Sequence, residues 1–118
     1  MEEKLKTLQA GVRVFPDFPK PGILFQDLLA WFEDHILRET LREVLASYLL
    51  AHGLTRVDYV VGLESRGLLV GQMLADILDT NFLPARKAGK LPGPIYVEEY
   101  EKEYGKDSFS MQVRDLRG

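Results

Sequence analysis

Three stretches of this 118-residue chain hold residue types able to do chemistry. The first is Gly62-Leu63-Glu64-Ser65-Arg66-Gly67-Leu68-Leu69-Val70-Gly71. It follows a short β-branched run and precedes an apolar helical pattern, so it reads as a strand-to-helix turn. Free backbone N–H groups and the helix dipole make such a turn an anion site. Arg66 adds a forked donor suited to phosphate oxygens. The glycine spacing is equally consistent with a tight turn and close helix–strand packing, and it matches neither the Walker loop nor the dinucleotide fingerprint.

The second stretch, Arg86-Lys87-Ala88-Gly89-Lys90-Leu91-Pro92-Gly93, sets three cations in five residues on a glycine-containing loop. In an acidic chain that is a local attraction for a polyanion, or else a solvated charged turn. The third, Glu98 to Lys106, sets carboxylates beside tyrosines. It offers candidate general acids or bases, although a solvated hairpin tip is the simpler reading.

These stretches need elements to position them. Glu2–Ala10 reads as a short helix stopped by Gly11. Pro16, Pro19, Pro21 and Gly22 then break regular structure, so the region reads as an extended arm or loop. Asp34 caps a helix in which Ile36, Leu37, Leu41, Val44, Leu45, Tyr48 and Leu49 recur at helical spacing, ending at His52-Gly53. Val57–Gly62 reads as a buried strand. Leu68, Leu69, Met73, Leu74, Ile77 and Leu78 share one face of the next helix, and Phe82–Arg86 forms a second strand. Helix, strand, loop, helix, strand indicates an α/β unit with a parallel sheet. Ile95–Tyr100 and Ser108–Val113 read as a strand pair around a mobile polar connection.

Composition narrows the function classes. Fifteen basic residues are outnumbered by eighteen acids, giving a formal net charge of −3. A dedicated nucleic-acid binder carries the opposite balance. No run approaches the roughly 20 apolar residues of a membrane span, and the opening Met-Glu-Glu-Lys-Leu-Lys is not a signal peptide. No cysteine is present, so disulfides and thiolate metal sites are excluded. A soluble, cytoplasmic protein, binding neither nucleic acid nor membrane, is the expectation.

Taken together, Val60–Gly67, Arg86–Gly93 and Glu103-Tyr104-Gly105-Lys106 resemble adenine phosphoribosyltransferases. Near the start, Pro16-Asp17-Phe18-Pro19 and Pro21-Gly22-Ile23-Leu24-Phe25-Gln26-Asp27 do so too. Four segments in the right order, from about Val12 to about Gln112, make the match specific. The resemblance implies an α/β fold: a partial type I phosphoribosyltransferase-like, Rossmann-like parallel sheet with flanking helices and an N-terminal adenine-binding arm. It implies one domain over 1–118, with residues 1–30 as the arm and 31–118 as a partial core plus catalytic loop. The implied reaction joins adenine to phosphoribosyl pyrophosphate, giving AMP and pyrophosphate in purine salvage, with Mg²⁺ bound to the co-substrate and a homodimer as the assembly.

Residue roles follow by the same resemblance. Glu64, Ser65 and Arg66 match the pyrophosphate loop, with a cis Glu64–Ser65 peptide. Arg86, Lys87 and Lys90 match the basic loop that helps hold pyrophosphate, partly across a dimer interface. Phe25 would stack on the purine, and backbone groups of Leu24 would read its edge, with Gln26 beside them. Some members carry arginine at the Gln26 position; glutamine keeps a donor and an acceptor. Glu103 matches the glutamate that manages the purine proton, and Tyr104 its neighbour over the reacting centre.

One departure is large. In the family, an apolar strand leads to two acids and a Thr-Gly-Gly loop that holds the ribose hydroxyls and 5′-phosphate. Nothing among these 118 residues provides it, and the sequence closes with Asp115-Leu116-Arg117-Gly118 about where that strand should begin. The expectation is a truncated form of weak or no activity, marginal in stability because its sheet edges are open. The alternative is a non-catalytic regulatory or dimerisation module derived from the enzyme.

Overall fold

The computed structural model describes residues 1–102 and 105–112, and the side chains of 101, 102, 105 and 106 are not described. The chain forms two compact units, Met1–Thr55 and Arg56–Gly118.

The first unit begins with helix α1 (Glu2–Ala10), which ends at Gly11 as its sequence predicts. Strands β1 (Arg13–Pro16) and β2 (Leu24–Asp27) follow. The proline-rich stretch read as an arm or loop is therefore the turn of an antiparallel hairpin, in which Phe15 faces Phe25 and Arg13 faces Asp27. Proline breaks the strands but also shapes their connection. The Phe18–Pro19 bond is cis, and Asp17 takes a left-handed conformation with its carboxylate accepting the Gly22 N–H at 2.8 Å. Arg13 ties the hairpin to the next element by donating to both Asp27 and Glu33 at 2.7 Å.

A short helix α2 (Ala30–Glu33) leads into α3 (His35–Ala51). Asp34 caps α3 as expected, its side chain accepting from the backbone N–H groups of Ile36 and Leu37. Those bonds, Leu37 first, hold the Asp34 carboxyl below its ordinary range. Leu8 and Leu41 form the buried centre of the unit, and the Trp31 indole N–H donates to the Leu8 carbonyl at 2.8 Å. Ile36 and Tyr48, expected on the buried stripe, are exposed; Tyr48 stacks instead on His52, one turn further along.

The second unit carries β3 (Tyr59–Leu63), α4 (Arg66–Leu78), β4 (Asn81–Lys87), β5 (Ile95–Lys102) and β6 (Gly105–Gln112). Its sheet runs in the order β3-β4-β6-β5. The expected parallel pairing is that of β3 with β4, joined through α4. The remaining pairings are antiparallel, because β5 and β6 form a hairpin whose second strand joins β4 at Arg86 and Lys87. That hairpin is longer than the sequence suggests. Its backbone register continues to Lys102 opposite Gly105, where a polar connection was expected.

Met73 and Ala75 of α4 pack with Leu83 and Ala85 of β4 as the buried core. At the far end of the sheet, the Thr80 hydroxyl lies 2.9 Å from the Val57 carbonyl and 2.8 Å from that of Asp58, which ties the entry to β3.

Candidate functional site

Strand β3 ends at Leu63, and α4 opens at Arg66, so only Glu64 and Ser65 make the connection. The Glu64–Ser65 peptide is cis, as the resemblance implies. In the first turn of α4 the Leu68 N–H donates to the Ser65 carbonyl at 3.2 Å, while the N–H groups before it lack partners four residues back and stand available to an anion. An open cleft of about 470 Å³ lies against this turn, lined by Leu63, Glu64, Ser65, Arg66, Gly67, Lys87 and Phe109. Ser65 and Arg66 are exposed, and Arg66 makes no side-chain hydrogen bond or ion pair among the described residues.

The glycines divide their work. A Cβ on Gly71 would lie 2.6 Å from the Phe82 ring and 3.1 Å from the Gly62 Cα. A Cβ on Gly62 would collide with the Gly67 carbonyl and the same ring. These two glycines bring α4 onto β3. A Cβ on Gly67 would meet nothing nearer than 3.5 Å, so packing does not require glycine there. The packing reading of the glycine spacing therefore holds at Gly62 and Gly71 and not at Gly67.

Glu64 does not point an idle carboxylate into the cleft. It accepts the Lys87 backbone N–H at 2.7 Å and, at 3.3 Å each, the Arg86 Nε and Nη2. It thereby ties the strand-to-helix turn to the end of β4. The Lys87 amide first, and the Arg86 guanidinium second, hold the Glu64 carboxyl below its ordinary range. The sign follows directly. A depressed folded-state value means that this clamp is fully present above the ordinary glutamate value of 4.5 and is lost as pH falls through the lowered value. In an acid titration followed by ¹H–¹⁵N NMR, the Lys87 amide is expected to shift with a midpoint below that ordinary value. A midpoint at or above that value would contradict the clamp.

Lys87 is also engaged. Its Nζ lies 3.4 Å from Asp107 Oδ2, which in turn accepts the Tyr100 hydroxyl at 3.2 Å. Asp107, then Tyr100, raises the Lys87 pKa. Lys90 is exposed on the loop beyond β4, where Gly89 turns the chain at φ +76°. The three cations of the basic loop are thus not equivalent: Arg86 is clamped, Lys87 is shared, and Lys90 projects from the loop.

Phe109 and Asp107 are residues that the sequence did not single out. Phe109 lines the cleft and stacks on Tyr100 at 4.9 Å. Asp107 follows directly after the Glu103–Lys106 motif, yet only the β4-β6-β5 order shows that it lies between Lys87 and Tyr100. Glu103 and Tyr104 lie outside the described residues.

In the first unit, Leu24, Phe25 and Gln26 all sit on β2. Side chains alternate along a strand, so Phe25 and Gln26 face opposite sides of the hairpin. Phe18 packs edge-on against Phe25 at 5.1 Å. Gln26 lines a different hollow with Val14, Leu28 and Trp31.

No family model matches the chain. It is 46% identical over 112 residues to adenine phosphoribosyltransferase of Debaryomyces hansenii, which takes in 95% of this chain and 59% of that protein. It is 45% identical over 106 residues to adenine phosphoribosyltransferase 1 of Saccharomyces cerevisiae, 89% of this chain and 57% of that one. The crystal structure of the Saccharomyces cerevisiae enzyme, complexed with an imino-altritol bisphosphate and adenine, matches the fold with a TM-score of 0.86 at 42% identity, over 95% of this chain and 64% of that chain. The chain therefore spans about three-fifths of the length of the relatives it matches. On sequence and fold alike, the chain is similar to part of the length of the adenine phosphoribosyltransferases, and its fold is that of the corresponding part of the Saccharomyces cerevisiae enzyme.

Proposed function

We propose that these residues supply the purine-binding and pyrophosphate-binding parts of an adenine phosphoribosyltransferase acting in purine salvage. The observation that carries this reading is the cleft at the start of α4, where the Glu64–Ser65 turn, Arg66 and Lys87 converge beside a helix N-terminus. Phosphoryl and pyrophosphoryl charge is stabilised at such sites by fixed N–H donors and cations. In the reaction, the bond from the ribose anomeric carbon to pyrophosphate breaks and a bond to an adenine ring nitrogen forms. The charge that develops on the departing pyrophosphate would be met by Arg66, Lys87, Lys90 and the turn amides. Glu64 and Arg86 would hold that group of donors in place. Phe25 would stack on the purine, and Leu24 would read its edge. Glu103 would accept the proton that adenine gives up, beside Tyr104.

Mg²⁺ would arrive with the phosphates of the co-substrate. Among the described residues no three acids or histidines form a metal-binding group, and Glu64 and Asp107 are already engaged by cations. A homodimer and a cytoplasmic location belong to the same proposal.

The 118 residues include no Thr-Gly-Gly loop, the element that in the resemblance grips the ribose 5′-phosphate. Little or no AMP is therefore expected when this chain is incubated with labelled adenine, phosphoribosyl pyrophosphate and Mg²⁺. A continuation carrying those elements should confer activity, and Arg66→Ala or Glu103→Ala should then remove it. Robust AMP formation by the 118 residues alone would overturn the first expectation. An inactive extended chain would overturn the functional assignment itself.

A further inference from the structure

We infer that Asp107 is a positioning residue that tunes the pyrophosphate subsite, holding Lys87 against the β5–β6 hairpin until an incoming diphosphate takes its place. The inference rests on reading the α4 cleft as a diphosphate subsite, and adds a competitor built into its wall.

The geometry sets this up through strand order. Because β6 lies between β4 and β5, Asp107 is flanked by Lys87 of β4 and Tyr100 of β5. Among the described residues, three groups engage the Asp107 carboxylate. Oδ1 accepts the Ser108 backbone N–H at 2.8 Å, while Oδ2 faces both the Tyr100 hydroxyl and the Lys87 ammonium. Tyr100 is itself held by stacking on Phe109. The carboxylate is thus preorganised whether or not lysine is present. Lys87 is the looser partner, at 3.4 Å and with its side chain 42% exposed. Its ammonium is a flexible point charge that can swing between neighbouring anions, unlike a forked guanidinium.

Arg86 makes the contrast. Glu64 engages two of its nitrogens and the following backbone amide together, so Arg86 cannot leave without undoing the end of β4. Of the two engaged cations beside the cleft, only Lys87 is exchangeable.

A ligand that needs Lys87 must first displace Asp107. Its apparent affinity is lowered by the fraction of time that Lys87 is held. An exposed pair of this kind is worth a few-fold in population. Removing the Asp107 charge should therefore tighten anion binding, whereas loss of a purely structural residue would weaken it.

The test is calorimetric titration of inorganic diphosphate into the wild-type chain, Asp107→Asn, Lys87→Gln and the double variant. Asparagine keeps an oxygen for the Ser108 N–H, presents an amide N–H to the Tyr100 hydroxyl, which can accept it, and loses the charge. The expected result is diphosphate binding about three- to fivefold tighter in Asp107→Asn. Lys87→Gln should bind more weakly than wild type, and Asp107→Asn should add little in that background. The double-variant comparison separates a local exchange from a general change in net charge, which would persist without Lys87. Equal or weaker binding by a folded Asp107→Asn, with wild type binding and Arg66→Ala impaired, would overturn the inference while leaving the subsite intact. Absence of binding by both wild type and Asp107→Asn would overturn the subsite and the inference together.

Discussion

Gly62→Ala is expected to prevent stable folding of the second unit, and Gly71→Ala to weaken it substantially. The two glycines face each other where α4 crosses β3, with the Phe82 ring filling the space beside them. Overpacking a close contact of this kind costs about 1–3 kcal/mol and sometimes more. The two sites differ in what must give way. At Gly71 the nearest obstacle is the edge of the Phe82 ring at 2.6 Å, a side chain that can be trimmed. Phe82→Leu should therefore recover part of the stability lost in Gly71→Ala. At Gly62 the obstacle includes the Gly67 carbonyl, which is main chain in the first turn of α4, so Phe82→Leu should rescue little. Gly67→Ala, with no contact nearer than 3.5 Å, should leave thermal stability close to wild type. Thermal unfolding followed by circular dichroism checks all five variants. A Gly62→Ala chain as stable as wild type would show that α4 can lift off β3 freely.

Arg66→Ala is expected to give the opposite pattern, with stability retained and anion binding lost. Arg66 is exposed and makes no side-chain hydrogen bond or ion pair among the described residues, and surface substitutions of that sort change stability by about 0.5 kcal/mol or less. A charge-assisted hydrogen bond to a phosphate is worth about 1.5–3 kcal/mol, so diphosphate binding should fall by roughly tenfold to a hundredfold. Arg66→Lys should restore only part, since an ammonium returns the charge without the planar fork. Calorimetry with diphosphate, run beside a melting curve, reads both quantities. Unchanged binding in Arg66→Ala would mean that the anion is held elsewhere.

These two predictions rest on neighbouring residues that the sequence reports very differently. Local order was largely legible. Gly11 ending α1, Asp34 capping α3, and the strand–turn–helix around Glu64 all follow from interactions within a few positions along the chain. The four motif segments also pointed to the family before any fold was in view, because residue identity and order are properties of the chain itself. The hairpin of β1 and β2 was missed because prolines were read only as breakers. Its pairing depends on Asp17 and the turn returning Phe25 to Phe15, which is a contact rather than a composition.

What tertiary structure decided was the standing of each charge and each glycine. Arg86, Lys87 and Lys90 look alike as a basic cluster. Folding sets Glu64 on the first and Asp107 on the second, 22 and 20 positions away in sequence. The glycines at 62, 67 and 71 look alike as spacing, and only the Phe82 ring, brought in by β4, separates packing glycines from an open one. The physical reason is the same in both cases. The sequence by itself determined the motifs, their resemblance to a known family and most of the elements that carry them. A side chain's partner comes from another strand, and strand order was what the sequence could not supply.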